Sequence, residues 1–331
     1  MKALKPLILL VAGIVFLPFC LTAGAEDKLQ IGAFNRSAVD IIATEKGFFK
    51  EENIALTMNL VGGSVELMRN FINGRYDLIQ TNADNVIAWA EGQGEDPQTN
   101  DFIIFLGGYS GLKQRLVVLP SIKSFDDIKG KVLEVDDPRT GYAAVLAFIL
   151  KTKGLTFNKD YTVKPFGNNS GRLQAMGKGE AVGALINLPE EDLKKTGFPV
   201  LARSEDYLPV YARGVGAARR DWAARNEALL VRYIRALVRA TNWIFDPKNE
   251  AEALDILLPP NRNSAPRAKA MYQDVVDPKL GFTPGSRIDI EGIRMVIQLR
   301  EVIGLMKPPL PSPQKYVDER FYKKAISSLT P

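Results

Sequence analysis

The spacing of hydrophobic residues changes abruptly over Ala43–Ser64. Apolar residues have helical spacing before Gly47, large apolar residues alternate with smaller or polar ones over Ile54–Leu60, and the pattern then stops at a Gly-Gly-Ser turn. Gly47 is a natural helix end because glycine takes positive φ at little cost, and Asn53 tolerates a second left-handed position. This stretch is therefore predicted to be a helix, a short strand and a strand-to-helix turn.

The same order of strand, loop and helix recurs over most of the chain. A first series of apolar strands ends near residue 112, a second begins near residue 115, and helical spacing dominates from Asp221. Repeated β-loop-α units are typical of a mostly parallel α/β sheet. The predicted strands are Leu29–Phe34, Ile54–Leu60, Tyr76–Thr81, Phe102–Leu106, Arg115–Leu119, Val132–Val135, Tyr161–Phe166, Ala181–Ile186 and Gly214–Ala218.

No linker rich in proline, glycine or serine separates the two series. The chain is therefore expected to cross between two lobes on strands, which predicts an α/β clamshell with a helical C-terminal tail. We expect lobe 1 to hold residues 26–112 and lobe 2 to hold residues 113–212. Residues 213–331 are expected to return to lobe 1 and to form the C-terminal helices.

Residues 1–25 have the pattern of a secretory signal. Lys2 and Lys5 give a positive start, Leu7–Leu17 is an apolar run that is short for a membrane span, and Ala-Gly-Ala precedes Glu26. A membrane anchor that stays attached is the alternative interpretation. We predict cleavage near Ala25 and export of the mature protein.

Composition excludes several kinds of chemistry. The chain has no histidine, and its one cysteine, Cys20, lies within the predicted signal. The mature protein would lack the commonest general base, a thiol nucleophile and nearly all zinc and copper ligand sets, so we expect no cofactor and no metal. Loss of two lysines leaves 41 basic against 38 acidic residues and lowers the formal charge from +5 to about +3. Without blocks of like charge, this balance gives no reason to expect nucleic-acid binding.

Four segments of the chain carry a resemblance to a known family; they are EKGFFKEENIALTMNLVGGS, FINGRYDLIQTNADN, SFDDIKGKVLEVDDPRTG and KYVDERFYKKAI. Together they resemble the extracytoplasmic solute-binding proteins of ABC importers. The resemblance is to the sulfonate, nitrate and taurine type, which also includes binders of thiamine-pyrimidine precursors, and it covers essentially the whole mature chain. One departure is Asn53, where glycine is usual.

This resemblance implies a type II periplasmic-binding-protein fold and a periplasmic location. It also implies two partners, a small-molecule solute and an ABC permease at the membrane, and a protein that acts as a monomer. In open α/β sheets a ligand lies beyond the carboxyl ends of the strands, so the loops that follow strands are the candidate ligand-binding segments. The candidates are Asn35, Arg36, Ser37, Gly63, Ser64, Asn82, Asp84 and Tyr109 in lobe 1, and Arg139, Thr140, Gly141, Asn168 and Asn187 in lobe 2.

The charged and aromatic candidates each have two interpretations. Arg36 and Arg139 present a planar fork that fits a carboxylate or sulfonate, or they are solvated surface residues. Asp84 binds a ligand amine, ring N–H or hydroxyl, or it caps the following helix. Tyr109 stacks on the ligand, or it lies at the edge of the core.

The hydroxyl candidates are placed at predicted helix starts. Ser64, Thr140 and Ser170 are predicted helix caps whose hydroxyls are also candidate ligand contacts. Helix N-termini add backbone donors and partial positive charge, so an acidic group of the solute is expected to bind between the Ser64 loop and the Arg139–Gly141 loop.

Two classes of function fit these residues. The first is a receptor that delivers a small organic solute with an acidic group, with a thiamine-pyrimidine precursor as the alternative ligand. The second is an enzyme on the same fold. Pyrimidine-forming relatives depend on histidine and cysteine, which leaves a lyase with Asp84 and either Asp136 or Asp137 as its acid and base. The predicted signal favours the receptor, and we predict that the protein is not an enzyme.

Overall fold

The computed structural model describes residues 25–95, 97–188, 190–258 and 264–329. These residues form ten β-strands and thirteen α-helices. The strands are β1 (Asp27–Ala33), β2 (Ile54–Leu60), β3 (Leu78–Thr81), β4 (Phe102–Gly107), β5 (Arg115–Val118), β6 (Val132–Val135), β7 (Thr162–Pro165), β8 (Gly183–Ile186), β9 (Val200–Arg203) and β10 (Val215–Arg219). The helices are α1 (Ala38–Glu45), α2 (Phe48–Glu51), α3 (Ser64–Ile72), α4 (Ala83–Ala90), α5 (Gly141–Lys151), α6 (Asn169–Gly177), α7 (Glu190–Thr196), α8 (Arg220–Arg225), α9 (Glu227–Phe245), α10 (Glu250–Ile256), α11 (Ala265–Val276), α12 (Ile290–Val302) and α13 (Arg320–Ser327).

Two five-stranded sheets organise the chain, with strand orders β2-β1-β3-β10-β4 and β7-β6-β8-β5-β9. We call the sheets, with the helices that cover them, lobe 1 and lobe 2. In lobe 1, β1 lies parallel to β2 and β3, and β10 returns antiparallel between β3 and β4. In lobe 2, β6 lies parallel to β7 and β8, and β5 is antiparallel to β8 and β9. The predicted α/β fold with two lobes and crossing strands is confirmed.

Burial follows the position of each strand in its sheet. Strand β4 is buried along its whole length, as its unbroken apolar sequence predicts for a strand covered on both faces. Strand β2 pairs only with β1, and its apolar row runs from Ile54, which is 3% exposed, to Leu60, which is 56% exposed. Coverage of the β2 face is therefore lost toward the carboxyl end of the strand.

Some local predictions are confirmed, and others are wrong in the bounds or the number of strands. Gly47 and Asn53 have φ of 73° and 56°, which confirms both left-handed positions. The predicted strand Tyr76–Thr81 is shorter, since β3 begins at Leu78, and no strand is predicted where β9 lies. β9 is a four-residue strand at the edge of its sheet, a length at which apolar alternation gives little signal.

Two segments cross between the lobes, residues 108–114 between β4 and β5 and residues 204–214 before β10. Helix α12 packs on both α4 of lobe 1 and α5 of lobe 2. One hydrophobic core therefore continues from Ile87 through Ile297 to Leu146. Asp84, which follows β3 in lobe 1, accepts a hydrogen bond from Gly141, which follows β6 in lobe 2, so the carboxyl ends of these two strands lie near each other.

None of the helices in the described ranges combines the length and the hydrophobicity needed to cross a bilayer. The predicted signal falls outside the described ranges, apart from Ala25. The proline at 189, a predicted helix start, also lies outside them, and the helix itself is present from Glu190. The boundaries given above for the lobes stay a prediction.

Candidate functional site

The loop after β3 reaches from lobe 1 to lobe 2. Asn82 is the N-cap residue of α4, but its side chain accepts no capping hydrogen bond. The Asn82 side chain instead lies close to the hydroxyl of Tyr142, in the first turn of α5, and partly offsets the rise that burial causes in the pKa of that hydroxyl. The candidate Asn82 therefore lies at a contact between the two lobes.

Asp84 is buried and has two partners from outside its own lobe's sheet. Gly141 N–H, at the start of α5, donates to Asp84 Oδ2 at 2.8 Å, and Arg300 of α12 donates to Asp84 Oδ1. The predicted cap of the Asp84 helix is wrong, because that helix begins at Ala83 and the Asp84 carboxylate caps α5 instead. The predicted N–H donor of Gly141 is also already engaged by Asp84.

The loop after β6 is held by its own hydrogen bonds. Thr140 caps α5 by accepting from Ala143 N–H at 3.3 Å, as predicted, and its hydroxyl donates to Asp136 Oδ1 at 2.7 Å. Gly141 is in close contact, since a Cβ there would lie 2.5 Å from Tyr211 Oη and 2.8 Å from Asp84 Cγ. Only glycine fits this position without displacing a neighbour.

Helix α6, which follows β7, contributes a buried guanidinium group that the sequence analysis did not identify. Arg172, in the first turn of α6, donates through Nη1 to Phe166 O at 2.9 Å and through Nη2 to Asn169 Oδ1 at 2.7 Å. Its Nε is buried and has no partner among the described residues. Burial lowers the pKa of the guanidinium, and the nearby Asp136 carboxylate partly offsets that effect.

Two titratable groups in lobe 2 face this cation. Burial raises the pKa of Asp136, while the hydrogen bond from Thr140 and the charge of Arg172 lower it. Burial also raises the pKa of the Tyr142 hydroxyl, which interacts electrostatically with Asp136, Arg213 and Arg172. A ligand here would therefore meet both a carboxyl and a guanidinium group.

The second crossing segment adds two further donors. Tyr211 Oη is buried without a partner in the described structure, and burial raises its pKa. Arg213 stacks on Tyr109, with its Cζ 4.1 Å from the centre of the ring. Arg213 Nε is also buried without a partner among the described residues. The Tyr109 ring also contacts the Phe282 ring edge to face, with 4.8 Å between the ring centres, which places this tyrosine at the edge of the core.

The remaining lobe 1 candidates follow β1 and β2. Ser37 forms a reciprocal capping box with Asp40 at the start of α1, and Arg36 beside it is exposed. Ser64 is wrong as a predicted cap, because Gly63 is the N-cap of α3 and no side chain caps this helix. The backbone around Gly63 is open, with no atom close enough to contact an added Cβ.

The remaining lobe 2 candidates lie at the rim. Arg139 is 59% exposed, with its Nε 3.3 Å from Asp137 Oδ1. Asn168, not Ser170, caps α6 by accepting from Gly171 N–H at 2.8 Å. Asn187 is exposed, and its backbone oxygen accepts from the Asn169 side chain at 2.8 Å.

The structure thus gathers six side chains where the lobes meet. We call them the interlobe cluster; they are Asn82, Asp136, Tyr142, Arg172, Tyr211 and Arg213. Asn82 is the one member that the sequence analysis predicts as a ligand-binding residue, and Asp136 is an acid or base in the lyase alternative. Arg213 is already paired with Asp274, but Arg172 and two tyrosine hydroxyls face the one carboxyl group of the cluster, and this surplus of donors favours a ligand with an acidic group. In the described parts of the chain, no three histidine, cysteine or acidic side chains lie close enough together to hold a metal ion.

A pocket of about 250 Å³ lies elsewhere in lobe 1, beside β2. Its lining is mainly apolar, with Phe49, Leu56 and Met58, and it also contains Arg36 and Asp40. Arg36 is the one candidate residue that lines it. We place the candidate site at the interlobe cluster because unpaired buried donors from lobe 2 and from the second crossing segment lie there.

Comparison with known proteins places the fold among periplasmic binding proteins. Residues 35–251 match the family described as NMT1/THI5 like. The periplasmic aliphatic sulphonate binding protein SsuA from Escherichia coli has a TM-score of 0.65 at 16% identity, over 88% of this chain and 92% of that chain. The periplasmic nitrate-binding protein NrtA from Synechocystis PCC 6803 has a TM-score of 0.68 at 13% identity, over 91% and 89%.

A structure titled as the desulfurization enzyme DSZB also has this fold, with a TM-score of 0.60 at 13% identity, over 92% of this chain and 100% of that chain. No curated protein sequence matches the chain. The resemblance predicted from the four segments is confirmed, and the likeness to the solved structures shows the fold.

Proposed function

We propose, since the chain belongs to the NMT1/THI5-like family and shares its fold with periplasmic binding proteins, that it is an extracytoplasmic solute-binding protein of an ABC importer. The proposed solute is a small organic molecule with an acidic group, such as a sulfonate, a taurine-like zwitterion or an aromatic carboxylate. The chain is proposed to bind it as a monomer between the lobes and to deliver it to a membrane permease.

The observation that carries this proposal is the set of unpaired donors in the interlobe cluster. Arg172 Nε, Arg213 Nε and Tyr211 Oη are all buried without a partner among the described residues. A buried donor without a partner costs free energy, and an acidic group that accepts from it would remove that cost. Charge-assisted bonds from guanidinium groups are also stronger than neutral ones.

A second group on the solute is suggested by Asp136. Burial raises the pKa of this carboxyl, so an amine or hydroxyl on the solute would stabilise its charged form. A zwitterion would satisfy both the arginines and Asp136. Nitrate, which has no donor, would give Asp136 no partner beyond Thr140 and Arg172, and is therefore less favoured than a taurine-like solute.

The enzyme alternative is less well supported. Both oxygens of Asp84, the proposed acid or base of a lyase, are engaged by Gly141 and Arg300. A structure titled as a desulfurization enzyme shares this fold, so conversion of a bound probe is one outcome of the test, although it is not the expected one. Export rests on the predicted signal at residues 1–25.

Titration calorimetry on the chain from Glu26 onward tests the proposal. The probes are taurine, an alkanesulfonate, nitrate, an aromatic carboxylate and an aminopyrimidine. We expect saturable one-site binding of an acidic organic probe, which mass spectrometry recovers unchanged afterwards. Binding of the aminopyrimidine alone would favour the precursor binder, and conversion of a bound probe would favour the lyase.

A further inference from the structure

The Asp84 carboxylate lies at the N-terminus of α5 in the way that a bound anion would. Gly141 N–H, the first residue of this eleven-residue helix, donates to Oδ2 at 2.8 Å. Arg300 Nη1 donates to Oδ1 from the opposite side. An anion at a helix N-terminus meets free backbone donors and the positive end of the helix dipole. Asp84 therefore sits between two sources of positive charge, neither of which belongs to its own helix.

Burial at this position is almost complete. The Arg300 side chain is 0% exposed and that of Asp84 is 6% exposed. Arg300 also donates to Gln93 Oε1, from Nε at 2.9 Å and from Nη2 at 2.6 Å. The guanidinium group is thus fixed in one plane with one edge directed at Asp84. A charge that is buried this deeply requires a partner.

A further buried donor lies at the same position. Tyr211 Oη has no hydrogen-bond partner among the described residues, and it interacts electrostatically with Asp84. Gly141 leaves the space that lets Oη and the carboxylate approach α5, since a Cβ there would overlap both. Two donors, a backbone N–H and a guanidinium, therefore bind one carboxylate, and an unpartnered phenol lies beside it.

We propose that Gly141 and Arg300 form an oxyanion site between the lobes, with the unpartnered Tyr211 hydroxyl at its edge, and that Asp84 is its internal ligand. The class of ligand that fits is a small carboxylate, because one oxygen meets Gly141 N–H while the other meets Arg300. The site joins α4 of lobe 1, α5 of lobe 2 and α12 through a single side chain. This site is distinct from the proposed function, because Asp84 fills it without a transported solute.

Removal of the internal ligand should open this site to an added anion. Asp84→Ala leaves the Gly141 N–H without a partner and the buried Arg300 guanidinium without a carboxylate, and the thermal midpoint is expected to fall by at least about 5 °C. Formate is the probe, because it carries both oxygens and is small enough for the space that the side chain leaves. We expect formate to restore more than half of the lost midpoint with a saturable dose response, and to leave the wild type unchanged.

Three controls make the result specific. Sodium chloride at equal ionic strength should restore less than formate, since a single atom cannot bridge both donors. Asp84→Asn keeps the site filled, and should be destabilised without a response to formate. If Asp84→Ala does not fold alone, the readout is the yield of folded protein after refolding with formate, and no gain over sodium chloride would overturn the proposal. Asp126→Ala removes a carboxylate that is 80% exposed, and should neither lower the midpoint nor respond.

Equal effects of formate on Asp84→Ala and the wild type would overturn the proposal. An undiminished midpoint in Asp84→Ala, or a rescue of Asp84→Asn as large as that of Asp84→Ala, would also overturn it. These measurements use no transported solute, so their failure would leave the proposed function untouched.

Discussion

Arg213 and Asp274 connect the second crossing segment to helix α11, with Arg213 Nη2 3.1 Å from Asp274 Oδ2. Lys113, on the first crossing segment, lies 3.0 Å from the other oxygen of the same carboxylate and 3.1 Å from Asp277 Oδ2. Both connections between the lobes are therefore fixed to one acidic residue in the last turn of α11. The side chains involved are only partly exposed, so their interaction is less screened than a surface pair.

Asp274→Ala should destabilise the protein more than the loss of an ordinary surface ion pair. Arg213 loses its carboxylate partner, while Lys113 keeps Asp277, so we expect a loss of about 1–3 kcal/mol in the free energy of unfolding. Asp126→Ala, whose pair with Lys129 is highly exposed, is the control and should change it by less than about 0.5 kcal/mol. Urea unfolding measures both. Equal effects would mean that the Asp274 cluster does not stabilise the crossing segments.

Arg172→Lys should weaken binding of the acidic solute by about ten- to a hundredfold, as expected for loss of one charge-assisted bond. Lysine keeps the charge but cannot hold Phe166 O and Asn169 as the guanidinium fork does. Arg139→Ala is the matched comparison, and its effect should be smaller because this exposed arginine already pairs with Asp137. Calorimetry with the best-bound probe measures both, after circular dichroism has verified the fold. A larger loss for Arg139→Ala would place the acidic group at the rim.

Asp136 should make stability depend on pH. Burial raises the pKa of Asp136 above its ordinary value of 3.8, so the folded protein binds this proton more tightly than the unfolded chain does. The contribution to stability is then present at low pH and is lost as the pH rises from about 3.8 through the raised pKa. Asp136→Asn keeps an oxygen that can accept from Thr140 but does not titrate.

Urea unfolding of the wild type and Asp136→Asn at several pH values from about 3.5 to 7 tests this directly. The wild type should lose free energy of unfolding relative to Asp136→Asn as the pH rises over this interval. Profiles that stay parallel throughout would show that Asp136 has no raised pKa.

Gly141→Ala should destabilise the protein by about 1–3 kcal/mol, because its Cβ overlaps Tyr211 Oη and Asp84 Cγ. Tyr211→Phe removes one of these overlaps, so the double variant should recover part of the loss. Tyr211→Phe alone should be close to neutral, since its hydroxyl has no partner among the described residues. Gly62→Ala, where nothing lies near an added Cβ, is the control. Absence of any recovery in the double variant would contradict the overlap with Oη.

Sequence alone predicted most of the fold because the information is local. A few neighbouring residues are enough to predict the backbone conformation at three places: the alternation over Ile54–Leu60, the glycine at 47 and the asparagine at 53. Errors arose where the local signal was ambiguous. Gly63 and Ser64 are both acceptable N-cap residues, and which of them caps α3 depends on how the chain approaches from β2.

The candidate site was less predictable because its geometry is nonlocal. The rule that ligands bind at strand ends found Asn82, but it could not find Tyr211 or Arg213, which lie on a crossing segment. Arg172 lies inside a helix, and the only signal was its place just after the Asn-Asn-Ser-Gly turn. The partner of Asp84 is Arg300, which is 216 residues away in the chain, and no spacing rule connects them.

Mass spectrometry of solute retained by the protein, purified from its native host, tests the central claim most directly. The account predicts about one small molecule per chain, with an acidic group, released on denaturation of the wild type and depleted in Arg172→Lys. Recovery of a solute without an acidic group, or equal retention by the wild type and Arg172→Lys, would contradict the claim that the interlobe cluster binds an acidic solute.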